Sequence, residues 1–160
     1  MKAVGMIVRF GFVVLLLAAG LAQPSSAPFS IMIAAAHTEM KSGSEVRVNV
    51  TVTNISNRDI GIEMTSPFCD YVVEVRDSAG RLAPDTEQKR VQYCGADRTT
   101  GRHFVAQLKP NESVKDAITV SALSDMSQPG EYSVQVMRKT PKDMGGVVVK
   151  SNTITINVTR

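Results

Sequence analysis

Two histidines and two cysteines are the scarcest reactive side chains in this 160-residue sequence, and their placement limits the chemistry open to it. A Ser–His–Asp or Cys–His arrangement would have to recruit His37 or His103, and no serine sits in a GxSxG nucleophile elbow. Neither an HExxH zinc motif nor a Gly-rich phosphate loop is present. Glu63 and Glu74 could be imagined as a glycosidase pair, but both fall on segments that read as strands, where carboxylates ordinarily form a solvated face. His37-Thr38-Glu39-Met40 gathers an imidazole, a carboxylate and a thioether within four residues, a set that suits copper. His37 and Met40 are the only metal candidates. The other methionines are scattered, as core filler would be. The sequence therefore reads as non-enzymatic, with no cofactor.

The meaning of Cys69 and Cys94 depends on the compartment. Lys2 and Arg9 precede an apolar run from Phe12 to Ala19, and Gly20-Leu21-Ala22 then supplies small side chains ahead of Gln23-Pro24. That is the order of a secretory signal peptide, a helical leader over residues 1–22 cut after Ala22, with Ala27 as the alternative site. An uncleaved anchor is the competing reading, but Met6–Leu21 offers 16 residues with Arg9 inside. A spanning helix needs about 20. The expected organisation is a leader (1–22), a linker (23–28) and one domain (29–160), exported to a periplasm or the medium. Losing Lys2 and Arg9 lowers the formal charge from +3 to +1. A nearly neutral domain gives no electrostatic reason to expect nucleic acid or an anionic membrane as partner.

In an oxidising compartment, two cysteines 25 positions apart with no CxxC pattern are most simply one disulfide, a redox or metal role being the alternative. Closing a loop of that length is worth about 3.5 kcal/mol in the loop-entropy account.

The elements that would position these residues are strands. From Glu45 to Thr53, Val46, Val48, Val50 and Val52 alternate with Arg47, Asn49, Thr51 and Thr53, which predicts a half-buried strand. Period-two patterns recur at Phe29–Ile33, Gly61–Met64, Tyr71–Val75, His103–Leu108, Val114–Val120 and Tyr132–Met137. Val147–Val149 and Ile154–Val158 supply the last one or two. No helix is convincing beyond one turn at Ser121–Met126. Many short strands separated by Gly, Pro, Asn and Ser turns predict an all-β, antiparallel, immunoglobulin-like sandwich of about seven to nine strands. Pro84–Arg102, polar and poor in apolar residues, reads as a long loop tied down at Cys94. Tyr132, two residues after Pro129-Gly130, is expected to bury its ring and bond its hydroxyl to main chain at a corner. Four Asn-x-Ser/Thr sequons, at Asn49, Asn54, Asn111 and Asn157, read as strand and turn composition.

Three blocks in order carry a family resemblance: Val50-Thr51-Val52-Thr53-Asn54-Ile55-Ser56-Asn57; Phe68–Val75 leading to Ser78-Ala79-Gly80-Arg81; and Leu108-Lys109-Pro110-Asn111-Glu112-Ser113 followed by Gln128–Val134. The succession, over residues 45–138, resembles the BsuPI-type proteinase inhibitor domain and is similar to the β-sandwich prodomain of deuterolysin-type metalloproteases. Export and the cysteine pair depart from that pattern. The resemblance implies an immunoglobulin-like sandwich and, for function, proteinase inhibition.

The functional expectation is an exported binding module whose loops contact another exported or envelope protein, since loops on a rigid β scaffold commonly carry function. Arg90, Gln92, Tyr93 and Arg98 of the 84–102 segment are the candidate contacts, Arg and Tyr being types that often dominate interfaces. The alternative is an accessory envelope domain that assembles by pairing at a sheet edge, either Phe29–Ala36 or Thr153–Val158. A periplasmic copper protein comes third.

Overall fold

The structure, a computed structural model, describes residues 27–91, 94 and 104–160. The expected leader, most of the linker, and Gln92, Tyr93, Arg98 and His103 lie outside the described residues. Among the described residues nine strands form: β1 (Phe29–Ala35), β2 (Glu39–Lys41), β3 (Arg47–Asn54), β4 (Ile60–Met64), β5 (Val72–Asp77), β6 (Phe104–Leu108), β7 (Ser113–Thr119), β8 (Gly130–Lys139) and β9 (Val148–Thr159). Two short helices, α1 (Pro67–Asp70) and α2 (Glu87–Val91), interrupt them. Three-stranded β1-β3-β7 and four-stranded β2-β9-β8-β5 are the two sheets of an immunoglobulin-like sandwich, and β4-β6 forms a separate ribbon. All pairs are antiparallel except β2 with β9.

The valine alternation does what its period demands. Val46, Val48, Val50 and Val52 are buried, as are Tyr132, Val134 and Val136 of β8 and Ile156 and Val158 of β9. β-Branched side chains are stiff and fit a pleated surface, and each one buried contributes about 1.5–3 kcal/mol. Tyr132 behaves as expected, 6% exposed with its hydroxyl donating to the Gln128 carbonyl at 2.9 Å.

Asn54 closes the far end of β3. It is 0% exposed, donates Nδ2 to the carbonyls of Arg58 (2.8 Å) and Leu108 (2.9 Å), and accepts the Ser56 N–H on Oδ1 at 2.9 Å. Both amide hydrogens are engaged, so this sequon asparagine is a structural hub where β3, β6 and two turns meet.

Several elements differ from the sequence expectation. Val148-Val149 and Ile154–Val158 belong to one strand, which Val147 precedes, kinked where Gln135 pairs with Thr153 but Met137 pairs with Lys150. Ser151 and Asn152 thus oppose Val136 alone, a β-bulge. The bulge breaks the alternation, which is why the sequence suggested two segments. β2 is too short to show a period. The 84–102 segment is not wholly loop: Glu87–Val91 is helical, and residues 84–86 are hydrogen-bonded to 122–125. Helices of four and five residues complete barely one turn, so no 3.6-residue stripe announces them. The turn expected within Ser121–Met126 is a 3-10 turn at Val120–Ala122.

Candidate functional site

The strongest concentration of polar chemistry lies where β5 begins and β8 ends. Ser66 starts α1 without a side-chain cap, Pro67 occupies its first turn, and Cys69 and Asp70 donate their N–H groups to the Ser66 carbonyl, both at 2.8 Å. The Asp70 carboxylate turns back to accept the Thr65 N–H (2.7 Å) and hydroxyl (2.5 Å). Cys69 is joined to Cys94 in a disulfide with a Cα–Cα distance of 5.4 Å, inside the usual range.

Val72 pairs with Met137, so Tyr71 stands opposite Arg138. Both lie on the inward parity of their strands. The Arg138 guanidinium carbon sits 5.2 Å from the centroid of the Tyr71 ring, a cation–π contact. Arg138 also donates to the Glu63 carbonyl of β4 and lies 3.7 Å from the Met64 sulfur. It therefore ties β8 to β4, two strands with no ladder between them.

Tyr71 is 4% exposed, and its hydroxyl has no hydrogen-bond partner among the described residues. Burial pushes its pKa up to about 12, against the attraction of nearby Arg138 and with a further push from Asp116 and Asp70. Asp116 occupies an inward position of β7 opposite Val50. Burial raises its pKa first, and the Asp70 charge adds to this; the Ala117 N–H, donating to Oδ1 at 2.8 Å, and Arg138 pull the other way. One guanidinium thus covers the phenol and partly offsets the Asp116 charge. The sequence reading missed this cluster, although a signal existed. Asp116 interrupts the even-numbered apolar series Val114, Ile118, Val120, and Arg138 extends the series Tyr132, Val134, Val136. A charge on the buried parity of a strand calls for a partner.

The expected contact residues divide. Arg90 is exposed on α2, and Gln92, Tyr93 and Arg98 are outside the described residues. α2 is fixed at its start. Thr86 donates its N–H to the Leu123 carbonyl (3.1 Å) and its hydroxyl to the Ala122 carbonyl (2.5 Å), Asp125 donates to Pro84 (2.8 Å), and Lys89 pairs with Asp85 at 2.6 Å. Beyond Val91, which is 73% exposed, the disulfide at Cys94 fixes the chain again. Phe104 and Val105 of β6 are also exposed.

His37 is exposed on the β1–β2 connection, whereas Met40 packs against the core. Among the described residues no group of three His, Cys, Asp or Glu could hold a metal ion. The two expected sheet edges face each other: Ala34, Ala35, Ile154 and Thr155 line a groove of 560 Å³ between β1 and β9. Residues 157 and 158 are paired on both sides, with β8 and with β2, so that part of β9 is no edge. Among the described residues no helix is long and apolar enough to cross a membrane.

No protein-family profile and no curated protein matches the chain. Among solved structures, the CARDB domain of the PF1109 protein from Pyrococcus furiosus, in complex with di-metal ions, is 13% identical with a TM-score of 0.42, over 81% of this chain and 91% of that one. A β-glucosidase from Erythrobacter marinus is 17% identical with a TM-score of 0.42, over 82% of this chain and 15% of that enzyme. The DNA glycosylase AlkC of Pseudomonas fluorescens, bound to DNA with an abasic site analogue, is 11% identical with a TM-score of 0.42, over 84% and 31%. Likenesses this distant carry no argument about activity, and the sandwich is established here by its own strand pairing.

Proposed function

We propose that this chain is an exported, non-enzymatic binding module that presents α2 and the residues following it to another exported or envelope protein. The observation that carries the reading is the double anchorage of this segment. It is held to residues 122–125 by main-chain bonds at one end and to α1 by the disulfide at the other, with Arg90 and Val91 exposed between. A helix held in place before it meets a partner loses less entropy on binding, and α2 is held in this way. Arg90 provides charge and planar hydrogen bonding, Val91 apolar contact, and Gln92, Tyr93 and Arg98 are the further contacts in this reading. Proteinase inhibition is the finer version, supported by the resemblance of the sequence blocks, in their order, to BsuPI-type domains.

The test is affinity capture from the envelope and medium of the exporting cell, comparing the wild type with Arg90→Glu/Val91→Asp. A partner lost on substitution, with Tm unchanged, supports the reading; the same partners with both proteins contradict it. Addition of the captured protein's peptidase substrate then separates inhibition from simple binding.

A further inference from the structure

We propose that the Cys69–Cys94 bridge is a redox latch: it couples α1 to α2, and its reduction releases both while the sandwich stays folded. The inference rests on the binding reading for its consequence, since the surface released is the one proposed to bind. Three observations carry it. Cys94 is exposed and Cys69 half-buried, so a thiol reaches the Cys94 sulfur from solvent. α1 and α2 fully bury no residue: α1 sets only half-buried Phe68 against the core, and α2 sets nothing there, so the bridge is a main tie between them. The buried side chains that hold the sheets together come from the strands and the 120–126 segment, together with Val46 ahead of β3 and Tyr71 at the head of β5.

A dithiol, protein or small molecule, opens the latch by two exchanges. Its first thiolate attacks the Cys94 sulfur, forming a mixed disulfide and expelling Cys69 as a thiolate. Its second thiol displaces Cys94. The dithiol ends as a disulfide and the bridge as two thiols, with two electrons and two protons transferred. The consequence reaches past the helices. α1 leads directly into Tyr71, so its release loosens the ring that Arg138 covers. A bridge that only stapled the fold would behave differently, since its loss would destabilise the strands as well.

The test compares the oxidised protein, the same protein after dithiothreitol, and the Cys69→Ser/Cys94→Ser variant. Hydrogen exchange is read at residues 67–71 and in β3, β8 and β9, and trypsin cleavage is read after Lys89 and Arg90. The latch predicts exchange at 67–71 and cleavage on α2 at least tenfold faster on reduction, with strand protection unchanged and the variant matching the reduced wild type. Equal rates in all three samples overturn it, as does loss of protection throughout the strands. If the latch opens as predicted while the oxidised protein captures nothing, the binding reading falls and the latch stands.

Discussion

Asn152 holds Ile33 by both of its main-chain groups: the Ile33 N–H donates to Oδ1 at 2.8 Å and Nδ2 donates to the Ile33 carbonyl at 3.0 Å. The side-chain amide takes the place of a neighbouring strand, joining β9 to β1 across a gap between sheets. The bulge in β9 makes this possible. The Ser151 hydroxyl accepts the Val136 N–H (2.9 Å), restoring the ladder bond the bulge interrupts, and Asn152 is left to turn outward. Arg138 bridges β8 to β4 in the same manner.

Asn152→Ala should therefore destabilise by about 1–3 kcal/mol, the range for leaving strand groups without protein partners. Asn152→Asp should recover part of this, because only the acceptor half survives. Urea unfolding at pH 7 checks both. An alanine variant within about 0.5 kcal/mol of wild type would mean that the seam is held by packing alone.

Tyr71→Phe removes a buried hydroxyl that has no partner among the described residues, so it should be neutral or stabilising by about 1 kcal/mol. The pH dependence follows from the sign of the shift. Above pH 10 an unfolded tyrosine loses its proton, while folded Tyr71 keeps its own until about pH 12. The Tyr71 contribution to stability is thus flat below pH 10 and falls as pH rises through that window, by up to about 2.7 kcal/mol. The phenylalanine variant should lack this share of the alkaline decline in denaturant titrations at pH 9 and 11. Parallel declines in the two proteins would contradict the assignment.

Asp116 is held with its carboxyl pKa above the usual value. Its protonated form is the better tolerated one, so the fold loses stability as pH rises through the carboxylate range. Asp116→Asn keeps an oxygen for the Ala117 N–H and should stabilise the protein at pH 7. The advantage should shrink at pH 3, where the native acid is neutral too. A gain independent of pH would point to packing instead.

Tyr132→Phe should cost about 1 kcal/mol through loss of the bond to Gln128, with the ring still buried. Thermal unfolding of the variant checks this corner.

Much of the fold was legible because alternation is a direct imprint of burial. Val46 to Val52 and Tyr132 to Val136 revealed their strands, and the cysteine spacing matched a bridge that the structure contains. What the sequence hid was non-periodic. The bulge at Ser151-Asn152 shifts parity within one strand, and β2 is defined only by its partner β9. α2 is ordered by Thr86 and Leu123, 37 positions apart, a contact no local pattern encodes. Of the site, Arg90 is seen exposed where the sequence suggested contact, whereas Asp116 and Arg138 were missed because each is a single charge within a series marked by its apolar members.

The most direct measurement of the binding account is site-specific photo-crosslinking in the producing cell, with the probe at position 90 or at Met32, which is 64% exposed on β1. The account predicts a discrete crosslinked partner from position 90 that disappears on Val91→Asp, and none from position 32. A partner caught equally from both positions, or from position 32 alone, would contradict it.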